Sequence, residues 1–379
     1  MKRTSEWVSP AHPDRLADCI AARIIDEIIA KDGFNSHAAI EVFITDNHVI
    51  VGGEATTTLS LTSTSIEPYI KEVLVDIGYN TSLRSKGFTK SEVYTSNDYK
   101  ISSFVIPQSP DIAKGVGIEK GFNDNGIFFG YAEDSNPLYL GLAHAIATEL
   151  GECLYKESLK EESIFGPDIK TLITVDEQSQ VTDITVSIPT IPKVVAEKET
   201  TELEVTNIIK NFFYKNTWTK LSPEVNIIIN GTGRYSIHGS KGDSGLTGRK
   251  IVVNHTGGYA PNGGGSQIKG FTAADSLLNF ASRWIAKSIV KSGLAHSCTT
   301  ALSCAIGQKK LQSFSVLLDG EEPEGITLDR INTVINSLEF SPKYLNSIWD
   351  CYYSHHFYNI VKSNFYGKDQ DWEKNLLVF

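Results

Sequence analysis

No stretch of this 379-residue chain approaches the roughly 18 to 20 consecutive apolar residues that a membrane span needs, so a membrane partner is not expected. Its five cysteines (Cys19, Cys153, Cys298, Cys304 and Cys351) are odd in number, scattered and without a C-x-x-C pair. That pattern indicates neither a disulfide framework nor a cysteine zinc site, and the thiols read as reduced and mostly buried. Positive charge is also short: 35 basic residues face 45 acidic ones, a net charge of -10. A sequence-independent nucleic-acid binder needs a broadly basic face, so nucleic acid is not an expected partner; a small anion remains compatible if cations cluster locally. The opening MKRTSEWVSPAHPDR has two leading basic residues but no apolar stretch behind them, so a secretory signal is not read and a cytoplasmic protein is expected.

What is present is ordinary in amount, with 41% hydrophobic and 21% charged residues, and the length suggests two or three domains. From Pro13 to Lys31 the apolar positions Leu16, Ala17, Ile20, Ile24, Ile28 and Ile29 recur at helical spacing, with Pro13 suited to the first turn and Gly33 to the stop. Runs 38–44 and 49–55 flank a polar turn and predict a hairpin. Further helices are expected over 65–77, 137–155, 202–213, 273–292 and 328–338. Strands are expected over 171–175, 182–188 and 225–230, with a pair within 299–320. Helices accompanied by antiparallel-looking strands predict an α+β protein of three comparable units, with no low-complexity linker between them. The expected segments are 1–110, 111–233 and 234–379, the second opening with a mobile loop from Gln108 to about Gly121.

Glycine is distributed unevenly. Eleven of the 30 glycines fall between Gly231 and Gly265, together with Arg234, Lys241, Arg249 and Lys250. Glycines let a backbone approach a polyphosphate and present its N–H groups, and cations add charge-assisted hydrogen bonds. The alternative is a long surface loop of tight turns, which the four cations disfavour. Neither G-x-x-x-x-G-K-[ST] nor G-x-G-x-x-G after a strand occurs, which excludes P-loop and Rossmann readings. The GDSG string at 242–245 matches trypsin-like proteases, but no histidine and aspartate stand in a supporting context.

Carboxylates supply the second signal. Asp14 in AHPDRLAD sits at the start of the first helix, where it either complements the helix dipole or holds Mg²⁺ beside a phosphate chain. His12 just before it either caps the helix or stabilises a leaving oxygen. Glu41 and Glu54 on the hairpin are either solvated or, if buried, need a cation partner. Asp124 in GFNDNG and Asp275 at a helix start carry the same two readings.

Taken together, HPDRLAD, VGGEATT, QSPDI, DNGIFFGYA, PDIK, GTGRY, GDSGLTGRKIVV, TGGYAPNGGG and SCAIG resemble the S-adenosylmethionine synthetases (methionine adenosyltransferases), and the likeness runs from Ser5 to about Glu373. The resemblance implies three similar α+β domains, each a mainly antiparallel sheet packed with helices, related by pseudo-threefold symmetry. It also implies a homodimer or dimer of dimers with active sites at the subunit interface. The implied reaction is attack of the methionine sulfur on C5' of ATP, releasing triphosphate that the same site hydrolyses to pyrophosphate and phosphate, with Mg²⁺ (two per site) and K⁺ as cofactors. Carried over by position, His12 would assist the leaving oxygen, and Asp14 and Asp275 would bind Mg²⁺. Lys170, Arg249, Lys250 and Lys269 would hold phosphates, with Asp168, Arg234, Tyr235, Asp243 and Ser266 also around ATP. Glu41 would face K⁺, while Glu54, Gln108, Asp243 and Ile306 would contact methionine. Asp124 matches an active-site aspartate, so that His12, Lys170, Arg249 and Asp124 form the expected catalytic set.

The chain departs from the family pattern in places. The usual GHPDK is AHPDR here, GAGDQG is GFNDNG, and NPTGRF is NGTGRY. Of two lysines expected before Asp275 only Lys269 remains, with Thr272 and Ala273 where the second would fall. The alternative is therefore a degenerate homologue that binds ATP or hydrolyses triphosphate without efficient adenosyl transfer, acting as an oligomer partner.

Overall fold

The computed structural model describes residues 2–33, 36–109, 119, 121–195, 198–270, 273–349, 357–363, 365–366 and 370–379. Most of the loop expected between Gln108 and Gly121 lies outside the described residues, as do Thr272 and Cys351.

Twelve strands are described in chain order: β1 Arg3–Val8, β2 His37–Thr45, β3 His48–Thr56, β4 Lys100–Ser103, β5 Ile106–Pro107, β6 Gly126–Glu133, β7 Lys170–Val175, β8 Gln180–Ser187, β9 Lys220–Ile229, β10 Gly245–Leu246, β11 Ser297–Cys304 and β12 Ser313–Leu318. They form three sheets, in the orders β10-β2-β3-β4 with β5 also on β3, β1-β7-β8-β9, and β12-β11-β6. Each sheet is built around a hairpin that follows a long helix: Pro13–Asp32 before β2 and β3, Leu142–Ser158 before β7 and β8, Ala274–Lys291 before β11 and β12. Beside the first strand of each hairpin runs an antiparallel strand from another part of the chain, β10, β1 and β6 respectively. The first segment thus lends a strand to the second, the second to the third and the third to the first. This cyclic exchange is the pseudo-threefold relation of the fold. The sheets are mainly antiparallel, with parallel additions at β4, β5 and β9 that the sequence did not reveal.

The helices form because their apolar stripes have one sheet each to cover. Leu16, Ile20, Ile24 and Ile28, then Ile146, Leu150 and Leu154, then Leu277, Ala281 and Ile285 are all buried in one continuous core. Each fully buried leucine or isoleucine among them contributes about 1.5 to 3 kcal/mol. Gly151 has no side chain where the Trp7 ring crosses the 142–158 helix; a Cβ there would lie 2.1 Å from the ring. That helix starts five residues later than its apolar pattern suggests. The Asn136 side chain accepts the Leu138 and Leu140 amides and donates to the Leu140 carbonyl, forming a turn in place of the first helical residues. Pro13 occupies the first turn of the 13–32 helix, and Gly33 ends it at φ 62°. Among the described residues no helix is long and apolar enough to cross a membrane, and Cys19, Cys153, Cys298 and Cys304 are free thiols, Cys153 exposed and the rest buried.

Candidate active site

The N-terminus of the 13–32 helix organises the first half of the site. Ser9 ties it to β7: its hydroxyl donates to the Pro167 carbonyl at 2.6 Å and accepts the Ile169 amide at 3.0 Å. This places His12 beside Asp168 and Lys170. His12 is the helix cap, its Nδ1 accepting the Asp14 amide at 3.3 Å, so the neutral ring carries its proton on Nε2. Burial drives the imidazole below its ordinary pKa; Lys250 and Lys170 act in the same direction, against Asp168 and Asp14. His12 is therefore a neutral donor at pH 7.

Asp14 is 1% exposed and its carboxylate is fully engaged. Oδ1 accepts the Leu246 amide at 3.0 Å, Oδ2 pairs with Lys250 at 2.7 Å, and the Arg249 guanidinium lies 3.4 Å away. Gly245 allows this approach, since a Cβ there would lie 2.0 Å from the Pro13 carbonyl oxygen. Ser266 stands across from Gly248, its Oγ 3.6 Å from where a Cβ would be.

A cavity of about 360 Å³ opens beside these groups, lined by His12, Asp168, Lys170, Tyr235 and Asp243 among others. Asp168 is buried, accepting the Tyr235 hydroxyl at 3.0 Å and the Gly239 amide at 2.8 Å. Burial, then the Asp168 charge, hold the Tyr235 phenol well above its usual pKa, so it stays a donor. Lys170 opens β7 with its ammonium 2.5 Å from Glu6 on β1. Arg234 is exposed on the preceding turn.

A second cavity of about 240 Å³ is lined by Glu54, Gln108, Asp124, Lys269 and Ile306, together with His37 and Asn123. Lys269 pairs with Asp275 at 2.9 Å. Burial works against its charge, but Asp275, with Glu41 and Asp124 nearby, raises its pKa overall. Gln108 accepts the Thr56 hydroxyl at 3.1 Å, and the Ile306 amide donates to Asn125 at 2.9 Å. Asn123 accepts the amide of Ala274, the first residue of the helix that carries Asp275, at 2.8 Å. Glu41 on β2 accepts the Thr247 hydroxyl.

The expected residues therefore gather into two half-sites. His12, Asp168, Lys170, Tyr235 and Asp243 share one cavity, with Asp14, Arg249 and Lys250 bound to the same helix start. Glu54, Gln108, Asp124, Lys269 and Ile306 share the other, with Asp275 and Glu41 adjoining. Asp243 is placed in the first cavity, apart from the other three residues expected around methionine. Among the described residues no three His, Cys, Asp or Glu side chains cluster as a metal cage. Asp14 and Asp275 each fit Mg²⁺ in another way, as single hard carboxylates each paired with a lysine, because Mg²⁺ commonly takes one or two carboxylates and completes its octahedron with phosphate and water. Next to Asp275 Oδ1 the backbone of Gly265 leaves room; a Cβ there would intrude to 2.8 Å.

Sequence reasoning missed Glu6, His37, Asn123, Thr247 and, above all, Asp18. Asp18 is 0% exposed, one turn beyond Asp14. A second carboxylate four residues on, inside an otherwise apolar stripe, was the available signal.

Models of the S-adenosylmethionine synthetase N-terminal, central and C-terminal domains match residues 1–109, 119–235 and 237–374. The chain belongs to the S-adenosylmethionine synthetase family. It is 34% identical over 360 residues to the S-adenosylmethionine synthase of Mesoplasma florum, covering 92% of this chain and 87% of that one. It is 36% identical over 337 residues to the enzyme of that name from Staphylococcus epidermidis, covering 83% and 80%. An unusual S-adenosylmethionine synthetase from Campylobacter jejuni superposes with a TM-score of 0.88 at 31% identity, covering 98% of this chain and 96% of that chain. Within this S-adenosylmethionine synthetase fold, each strand exchange crosses from one matched domain to another.

Proposed function

We infer that this chain synthesises S-adenosyl-L-methionine from ATP and L-methionine and then cleaves the released triphosphate to pyrophosphate and phosphate. A sulfur lone pair forms the S–C5' bond while the C5'–O bond breaks, its electron pair passing to the triphosphate oxygen. A thioether needs no base, so the protein's task is alignment and stabilisation of the leaving anion. One observation carries the reading: a neutral Nε2–H donor at His12 stands beside Lys170, Lys250 and Arg249 at a helix N-terminus. Helix N-termini and cations both favour developing negative charge. The degenerate alternative has no observation in its favour.

In this reading His12 donates to the leaving oxygen, and Lys170, Arg249, Lys250 and Lys269 grip phosphates. Asp168, Arg234, Tyr235, Asp243 and Ser266 surround the nucleotide, Tyr235 holding the Asp168 carboxylate in place. Glu54 and Asp124 suit the methionine ammonium, Gln108 its carboxylate, and Ile306 the sulfur end. Asp14 and Asp275 would hold Mg²⁺, and Glu41 with Thr247 would face K⁺; when bound, these cations neutralise charge on the triphosphate. Separation into two half-sites supports a homodimer or dimer of dimers, with one chain's His12 half-site facing the partner's Glu54 half-site. The working domains are 1–110, 111–233 and 234–379, and the reaction is placed in the cytoplasm.

Incubating the protein with ATP, methionine, Mg²⁺ and K⁺ tests the reading by chromatography. Formation of S-adenosylmethionine by the wild type, and its loss in His12→Ala and Lys170→Met, is the expected result. ATP cleavage without that product would refute the reading and support the degenerate one.

A further inference from the structure

We propose that Asp18 is a positioning residue for the phosphate-gripping turn 246–250, fixing through the Gly248 amide the direction in which Arg249 and Lys250 leave the chain. The inference rests on the reading of Arg249 and Lys250 as phosphate ligands. Asp14 and Asp18 lie one helical turn apart and therefore share a face of the 13–32 helix. They accept alternate amides of the same turn, Asp14 that of Leu246 at 3.0 Å and Asp18 that of Gly248 at 2.9 Å. Two carboxylates in register with two backbone donors fix both position and twist, where a single contact would leave the turn free to rotate.

Further contacts oppose slippage. Asp18 also accepts the Asn254 side-chain amide at 3.4 Å, and Asn254 in turn accepts a hydrogen bond from the buried Arg15 guanidinium. Residues 246 to 254 are thus stitched to one face of the helix at three places. Gly248 sits at φ +75°, a conformation that L side chains rarely adopt, immediately before Arg249. A change in its backbone would therefore swing both cations. Asp18 is fully buried, and this burial raises its carboxyl to about 7 against the pull of the Gly248 amide and Arg15. Asp18 lines neither of the two cavities that hold the expected site residues, and its hydrogen bonds go to the turn and to Asn254.

The test compares wild type with Asp18→Ala, which removes the acceptor of the Gly248 amide, and Gly248→Ala. Affinity for inorganic tripolyphosphate is read by calorimetry, and steady-state constants are read for ATP and methionine. Gly248→Ala retains every side chain of the site and meets nothing closer than 3.6 Å, so it disturbs the same backbone point even if Asp18→Ala fails to fold. Folded variants are expected to bind tripolyphosphate at least tenfold more weakly and to raise the KM for ATP, with the KM for methionine within about twofold of wild type. A merely structural role would lower the active fraction and leave every KM and the tripolyphosphate affinity unchanged; that result in a folded variant overturns the proposal. Wild type that makes S-adenosylmethionine but fails to bind tripolyphosphate would overturn the phosphate reading of Arg249 and Lys250, and the positioning role with it.

Discussion

The ammonium of Lys250 lies 2.7 Å from Oδ2 of Asp14, joining a candidate metal carboxylate to a candidate phosphate cation. Lys269 and Asp275 repeat the relationship in the other half-site at 2.9 Å. In each case the lysine compensates the charge of its partner carboxylate. On the proposed reading each pair would serve as a preformed seat for a metal–phosphate unit.

Lys250→Met should lower kcat by about 10² to 10³, the usual consequence of losing one donor to a developing anion, with little change in the Mg²⁺ concentration needed. Asp14→Asn should instead shift the Mg²⁺ titration to higher concentration as well as lowering the rate. Rate measurements across a Mg²⁺ series separate the two roles.

The two half-sites predict complementation between inactive variants. Lys170→Met and Asp124→Asn impair different half-sites, so mixed dimers would hold one intact site each. With random reassortment about a quarter of wild-type activity should return. Mixing after mild dissociation and assaying S-adenosylmethionine formation checks this; no recovery despite exchanged subunits would contradict the interface reading.

Tyr235→Phe should cost about 1.5 to 3 kcal/mol of stability, the range for a hydrogen bond to a charged group, because Asp168 keeps only its Gly239 amide. Synthesis should persist, since the family pattern carries Phe at this position. Urea melts and the KM for ATP report the two parts.

His144 and His255 are buried, and burial depresses each to about 4. Their Nε2 atoms face the Val253 and Phe129 carbonyls, so both are neutral donors. A folded pKa below the unfolded value near 6.5 means that the unfolded chain binds more protons between pH 6.5 and 4. The stabilisation is therefore complete above about 6.5 and lost as pH falls toward 4, by on the order of 3 kcal/mol per histidine. Asp18 has the opposite sign: raised to about 7, it loses stability as pH rises from its ordinary value of 3.8. Urea midpoints from pH 4 to 8 should show a weaker acid destabilisation in His255→Gln than in wild type.

Much of this was legible in the sequence where the signal was local. The 13–32 helix, its Pro13 start and its Gly33 stop followed from periodicity, as did the β2–β3 hairpin. His12, Asp168, Lys170, Tyr235 and Asp243 were named from motifs, and they do line one cavity. The strand exchanges were not legible, because β1 meets β7 and β10 meets β2 across well over a hundred residues, and no local pattern encodes such pairing. Residues 137–141 misled because Leu140 continues the apolar rhythm of Leu142, Ala143, Ile146 and Leu150, and the Asn136 side chain turns the chain there instead. Asp18 escaped because its partners, the Gly248 amide and the Asn254 side chain, lie more than 200 residues away in the sequence.

Adenosyl transfer is decided by a single turnover in which enzyme exceeds ATP, with methionine, Mg²⁺ and K⁺ present and all products resolved. One S-adenosylmethionine per ATP consumed is expected, with triphosphate formed first and then converted to pyrophosphate and phosphate. Consumption of ATP with ADP or AMP as the nucleotide product, and no S-adenosylmethionine, would contradict it.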